Sequence, residues 1–304
     1  MGRWWTYQRE RFPVFGHGPL IAAFSFCAVA YSANLRHPGT WPAWNSALVA
    51  FLSAFLFFLQ LRLADEFKDF EEDSRWRAYR PVPRGLVTLR ELGWVFAGGC
   101  VLQLGAALWL EPRQVWVLAL TWTYLALMSR EFFARTWLKA RPITYLWTHM
   151  LIMPLVDFYA TSCDWMHAAG RPPSGLHYFL LASFCNGVVI ELGRKIRAPE
   201  QEEKGVETYS FLYGPSRATF GWMGMLLATA FFGCMAAQEA HALVWVGMSL
   251  LLGLVGTFAI GLRFLARIEP RRASRIELAS GVWTLLLYLS LGLLPGLTHF
   301  LRNP

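Results

Sequence analysis

Nine times along its length the chain stays apolar for about the thickness of a bilayer, and no other feature limits its fold so strongly. The runs lie near 17–34, 44–63, 92–110, 113–129, 143–161, 175–193, 218–237, 242–262 and 278–301. Inside hydrocarbon each backbone N–H and C=O needs a partner within its own segment, so such runs are read as helices. With 55% hydrophobic and 16% charged residues, the balance suits an integral membrane protein rather than a soluble one. The fold class is therefore all-α: a polytopic membrane protein with nine transmembrane helices. The third and fourth runs nearly meet at Glu111-Pro112, which predicts a tight helical hairpin. No Ser/Gly linker divides the chain, so residues 1–304 read as one transmembrane domain.

Charge placement supports that count. With the N-terminus inside, the inward segments hold 23 of the 28 Lys and Arg, and the outward ones hold four: Arg36, Arg113, Arg171 and Arg302. This is the positive-inside pattern of a multi-pass protein with a cytoplasmic N-terminus; the expected location is the cell's inner membrane, with an organelle membrane left open. It also accounts for the net charge of +8 without a nucleic-acid partner. The start, MGRWWTYQRERF, has neither the apolar core nor the cleavage pattern of a secretory signal. The five cysteines show no CxxC spacing, so they indicate packing rather than zinc or a disulfide framework.

Two inward segments, 64–91 and 194–217, hold most of the polar chemistry and would cap the bundle. The first begins with Asp65–Asp73, DEFKDFEED. On a continuous helix Asp65, Asp69 and Asp73 drift only about 80° around the axis, with Glu66 and Glu72 about 20° beyond the edges. Five carboxylates on one side repel unless a cation lies among them, and Mg²⁺ characteristically takes one or two carboxylates plus substrate phosphates. The alternative is an acidic helix end facing water. The second segment follows Glu191: Arg194, Lys195 and Arg197, then Pro199, then Glu200, Glu202 and Glu203. Arginine and lysine beside carboxylates suit a metal-bound diphosphate. The plainer reading is a positive-inside anchor with solvated glutamates. Each segment follows the second helix of a possible four-helix half, which hints at a repeat.

With these motifs in view, the chain resembles the UbiA superfamily of intramembrane prenyltransferases. That family has nine helices, an NDxxDxxxD motif after the second and a DxxxD motif after the sixth. Asp65 stands at the family's Asn, Glu66 at its first Asp, and Asp69 and Asp73 at the other two. Arg80-Pro81 and Arg84-Gly85 look like the segment that follows, and Gly205-x-x-Thr208 with Gly214 looks like the family's GxxT…G tail. The second motif departs from the pattern: its aspartate positions hold Arg197 and Gln201.

The resemblance implies a helical bundle whose central cavity opens near the cytoplasmic side. It implies Mg²⁺ as cofactor, held by Asp65, Glu66, Asp69 and Asp73; in place of the second motif's aspartates the available carboxylates are Glu191, Glu200, Glu202 and Glu203, of which Glu202 and Glu203 are taken as metal candidates. It further implies catalytic roles for Asp65, Asp69, Asp73 and Glu191, and a polyprenyl diphosphate held by Lys68, Arg80, Arg84, Arg194, Lys195 and Arg197. The substrate would ionise to an allylic cation and pyrophosphate, and a lipophilic or aromatic acceptor would capture the prenyl group. Membrane lipids are the remaining partner. Phe58, Phe67, Tyr124, Phe132 and Tyr209 are candidates to shield the cation, although packing is the commoner role of such rings. His149, Asp157 and Asn186 are polar residues within apolar runs, hence functional candidates or interhelical glue. Two other activities fit parts of the pattern: a UbiA-type class I terpene cyclase and a divalent-metal transporter. A scaffold would leave the acidic register unexplained.

Overall fold

The computed structural model describes residues 2–203 and 205–302; Lys204, counted above among the inward basic residues, lies outside them. The described residues form α-helices and two 3₁₀ turns, with no strand. In chain order the helices are α1 (Arg3–Arg11), α2 (Val14–Arg36), α3 (Trp44–Lys68), α4 (Phe70–Trp76), α5 (Leu89–Leu110), α6 (Gln114–Ser129) and α7 (Arg135–Lys139). There follow α8 (Pro142–Met150), α9 (Ile152–Ala168), α10 (Leu176–Arg194), α11 (Tyr209–Tyr213), α12 (Pro215–Glu239), α13 (Leu243–Ala266) and α14 (Pro270–Arg302).

Seven of these are long and apolar enough to cross a membrane: α2, α3, α5, α10, α12, α13 and α14. The other two expected spans take a different form. One is α6, with only 16 residues. The other, expected as one helix over 143–161, is divided at Leu151 into α8 and α9. Pro154 explains the division: it has no N–H for the Met150 carbonyl, and its ring would collide with that carbonyl in a continuous helix.

The long helices pack in chain order, and α14 returns to α2 to close the ring. Within it α9 packs against α2, α3, α6 and α10. The α2–α14 approach is close enough that a Cβ on Gly292 would stand 2.5 Å from the Cys27 Cα. Polar side chains in the bundle are paired across helices, as a low-dielectric interior requires. Gln60 donates to Gln103 Oε1 at 2.9 Å, which also accepts from Trp122 at 3.0 Å. Tyr288 donates to Asp157 at 2.6 Å, and Thr284 to Asn186 at 3.2 Å.

Ion pairs mark the two ends of the bundle. At one end Arg36 grips Asp164 through two bonds of 2.7 and 2.9 Å, and Ser32 adds a third at 2.7 Å. At the other, α1 is tied down by Arg11 to Glu66, by Arg3 to Glu91 at 2.6 Å and by Glu10 to Arg84 at 2.9 Å. There α5 starts in a capping box, the Thr88 N–H donating to Glu91 at 2.9 Å. This second end carries both charged segments.

Candidate functional site

The first charged segment does not present five free carboxylates. α3 stops at Lys68, Asp69 adopts φ −96° and ψ 3°, and α4 restarts at Phe70. Hydrogen bonds from Asp69 N–H to Asp65 O (2.9 Å) and from Asp73 N–H to Asp69 O (2.8 Å) carry the helical path across this break. The side chains then diverge by partner. Glu66 is buried and paired with Arg11. Asp73 is buried between Arg77 at 2.8 Å and Arg80 at 2.5 Å. Glu72 turns outward to Lys139 at 2.5 Å and Arg135 at 3.5 Å. Asp65 has only a loose contact with Arg62 at 3.7 Å. Asp69, half-buried, has no hydrogen bond or ion pair from its side chain among the described residues. Burial pushes its carboxyl above the usual carboxylate range; Lys68 opposes this, while Asp65, Asp73 and Glu72 add to it. Of the cations expected to meet phosphate, Arg80 is therefore engaged with Asp73, and Arg84 with Glu10 and the Tyr79 carbonyl.

The second segment is held from within. Glu191, buried at the end of α10, takes Arg194 at 2.6 Å and Lys195 at 2.9 Å. Thr208 caps α11 by accepting from Phe211 N–H at 3.0 Å and donates to Glu202 at 2.7 Å. Glu203 stands 3.5 Å from Arg197. Gln201, at a family aspartate position, accepts from Ala198 N–H at 3.2 Å, so this position shapes the turn. Arg194, Arg197, Glu202 and Glu203, with Ser274 and Glu277 of α14, line a polar recess of about 460 Å³.

α8 joins the two segments. Lys68 donates to Tyr145 Oη at 2.6 Å, and the His149 ring stacks on Tyr145 with centroids 3.8 Å apart. His149 in turn lies within electrostatic reach of Glu191 and Lys195, and Asp65 within reach of Arg194. Lys195 sits 5.6 Å over the Tyr209 ring. At the outer rim the Gly205 backbone lies against the Trp76 ring of α4. Residues more than 120 positions apart thus share one polar region.

The sequence pattern does not single out several members of this region: Arg62 and Tyr145 lie within apolar runs, and Arg11 and Arg77 are among many inward positive charges. Glu131 is buried between Lys68 at 3.8 Å and Arg135 at 3.4 Å. It opens a turn in which Glu131, Phe132 and Phe133 all have positive φ, at 49°, 52° and 58°. Nothing in REFFAR marks such a turn, since none of its residues favours the left-handed region. Of the candidate aromatics, Phe132 and Tyr124 meet edge to face at 5.5 Å, and Phe132 also meets His149 at 6.2 Å. Phe67 is exposed, and Phe58 packs on Phe24 at 5.4 Å. Among the described residues no three His, Cys, Asp or Glu side chains converge as ligands of one ion. A second, wholly uncharged groove of about 370 Å³ lies between α1, α3 and α5, lined by Trp4, Trp5, Phe12, Phe55 and Leu63.

Residues 22–291 match the UbiA prenyltransferase family. No curated protein matches the sequence. Solved structures that share the fold include the following three. A digeranylgeranylglyceryl phosphate synthase is 13% identical, with TM-score 0.66 over 97% of this chain and 99% of its own. A UbiA homolog from Aeropyrum pernix K1 is 15% identical, with TM-score 0.63 over 87% and 94%. A UbiA homolog from Archaeoglobus fulgidus, bound to GPP and Mg²⁺, is 13% identical, with TM-score 0.59 over 94% and 99%.

Proposed function

The chain belongs to the UbiA prenyltransferase family, and on that premise we propose that it ionises a polyprenyl diphosphate with Mg²⁺ and transfers the prenyl group to an acceptor, releasing pyrophosphate. The observation that carries this reading is the Asp69 carboxylate, without a side-chain partner among the described residues and one turn from the loosely held Asp65, which itself lies within electrostatic reach of Arg194 in the cation-rich second segment. Two carboxylates with phosphate oxygens and water form an ordinary Mg²⁺ ligand set, so the absence of a three-residue cluster among the described residues is no obstacle. A GPP- and Mg²⁺-bound homolog of the same fold adds support.

Asp65 and Asp69 hold the metal, and Glu66 and Asp73 set the frame by anchoring α1 and the Arg77–Arg80 turn. When bound, Mg²⁺ neutralises charge on the leaving diphosphate. Lys68, Arg194, Lys195 and Arg197 receive phosphate oxygens, with Glu191 fixing the direction of Arg194 and Lys195. Glu202 and Glu203 shape the 194–217 cap, which closes over the site with 64–91. α6 and the α8–α9 pair complete nine crossings of one domain, with α1 at the cytoplasmic face of the inner membrane.

The test is incubation of the purified protein with a panel of prenyl diphosphates and Mg²⁺, with and without lipophilic or aromatic acceptors. Pyrophosphate and lipid products are then quantified by mass spectrometry. A prenylated acceptor is expected. A cyclic product formed without acceptor would assign a terpene cyclase instead, and absence of pyrophosphate release with every substrate would reject the reading.

A further inference from the structure

His149 is placed and prepared unlike a packing residue. It is 8% exposed, stacked on Tyr145 with 13° between the rings and met edge-on by Phe132. Its Nδ1 lies 2.9 Å from the Tyr145 carbonyl oxygen, which only accepts, so Nδ1 carries the ring proton. The Thr148 hydroxyl, 3.4 Å from the same nitrogen, directs its own hydrogen to the Thr144 and Tyr145 carbonyls. Nε2 is thereby left as a bare lone pair, buried and without a partner among the described residues. A second N–H there would be an unsatisfied buried donor, so this pocket favours the neutral ring. Phe would fill the same space between Tyr145 and Phe132 without an orphan acceptor, and buried orphans of this kind call for a use.

Its surroundings indicate the use. Lys68, from the end of α3, and Glu191 and Lys195, from the end of α10, are the charged groups facing it. These are the ends to which the proposed function assigns metal and diphosphate, and the inference rests on that reading. We propose that His149 is the base of the transfer, taking the proton that the acceptor loses from its O–H or aromatic C–H as the new bond forms. The C1–O bond of the prenyl diphosphate breaks, and its electron pair leaves on pyrophosphate. An electron pair of the acceptor forms the new bond to C1, and the proton displaced from the attacked atom passes to Nε2. The Tyr145 carbonyl holds the resulting imidazolium through Nδ1–H, Glu191 balances its charge, and the proton then departs to the released pyrophosphate. Tyr145, gripped by Lys68, acts as a positioning residue.

The test separates ionisation from capture by measuring pyrophosphate and prenylated product together in wild type, His149→Phe and His149→Ala. Loss of a positioned base is expected to lower the product by about 10²–10⁴-fold. Pyrophosphate release should persist, with prenyl alcohol or diene in place of the adduct, and added imidazole should restore product in the alanine variant. A constant ratio of product to pyrophosphate in both variants would overturn the assignment. The ring ¹⁵N shifts of His149 in the wild-type protein give a readout independent of turnover and of variant folding. An Nδ1–H tautomer is expected, and an Nε2–H tautomer would overturn the proposal. Absence of pyrophosphate release by wild type would instead reject the underlying transferase reading.

Discussion

Trp76 and Gly205 hold the two charged segments together at their outer rim. Gly205 has φ +82°, and a Cβ built on it would lie 3.0 Å from the indole Cδ1 and Cγ. An L-residue in this backbone costs about 1–2 kcal/mol before the clash with the ring is counted. Gly205→Ala should therefore lift the 194–217 segment away from α4. Limited proteolysis is expected to cut this segment faster in the variant, with pyrophosphate release reduced. Equal cutting rates would show that the contact does not hold the segment.

Asp69 and Asp73 look equivalent in sequence but have opposite surroundings. Asp73 is buried between two arginines, and removing one partner of a buried ion pair costs about 3–5 kcal/mol. Asp69 has no such partner among the described residues and adds to local repulsion. Asp73→Asn should thus lower the melting temperature in detergent, whereas Asp69→Asn should leave it unchanged or raise it. Mg²⁺ affinity, read by Mn²⁺ competition, should fall at least about tenfold in Asp69→Asn. The reverse pattern would exchange the two roles.

Much of this was visible in the sequence, and the parts that were not have physical causes. The runs at 17–34 and 44–63 foretold α2 and α3 because spanning length and helix formation are the same requirement in hydrocarbon. The convergence of 64–91 with 194–217 was foreseeable from shared sidedness. What failed was the assumption of one carboxylate face. Helical spacing fixes where Glu66 and Asp73 project, but not which arginines meet them, and Arg11 and Glu66 are 55 residues apart. Likewise Pro154 lies in the fifth run, but a proline within an apolar run is compatible with a kinked continuous helix as well as with the division seen at Leu151. Glu131 depends on a left-handed turn with no glycine or asparagine to announce it.

Arg11 and Glu66 supply a test of the N-terminal helix. Both are largely buried, with side-chain exposures of 10% and 1%. Arg11→Met would strand the Glu66 carboxylate, again at about 3–5 kcal/mol. Arg11→Met with Glu66→Gln should recover most of that loss, since the charge is no longer stranded. Thermal unfolding of the single and double variants gives the coupling. Additive losses would mean that the pair does not anchor α1.

Glu72 ties α4 to α7 through Lys139 and Arg135, and this tie carries a defined pH dependence. The hydrogen bond from Lys139 holds the carboxyl below its usual range; burial opposes this, and the Lys139 and Arg135 charges reinforce it. A depressed carboxylate stabilises the folded contact above its unfolded pKa, and the contribution disappears as pH falls through the lowered folded value. The tie should therefore be fully present at neutral pH. All three side chains are more than 40% exposed, so solvent screening limits its worth to about 1 kcal/mol or less. Amide exchange across 70–76 should be up to about fivefold faster in Glu72→Gln near neutral pH. Wild type and variant should then converge in acid, as the carboxylate of the native protein is protonated. Identical exchange at neutral pH would mean that Glu72 holds nothing there.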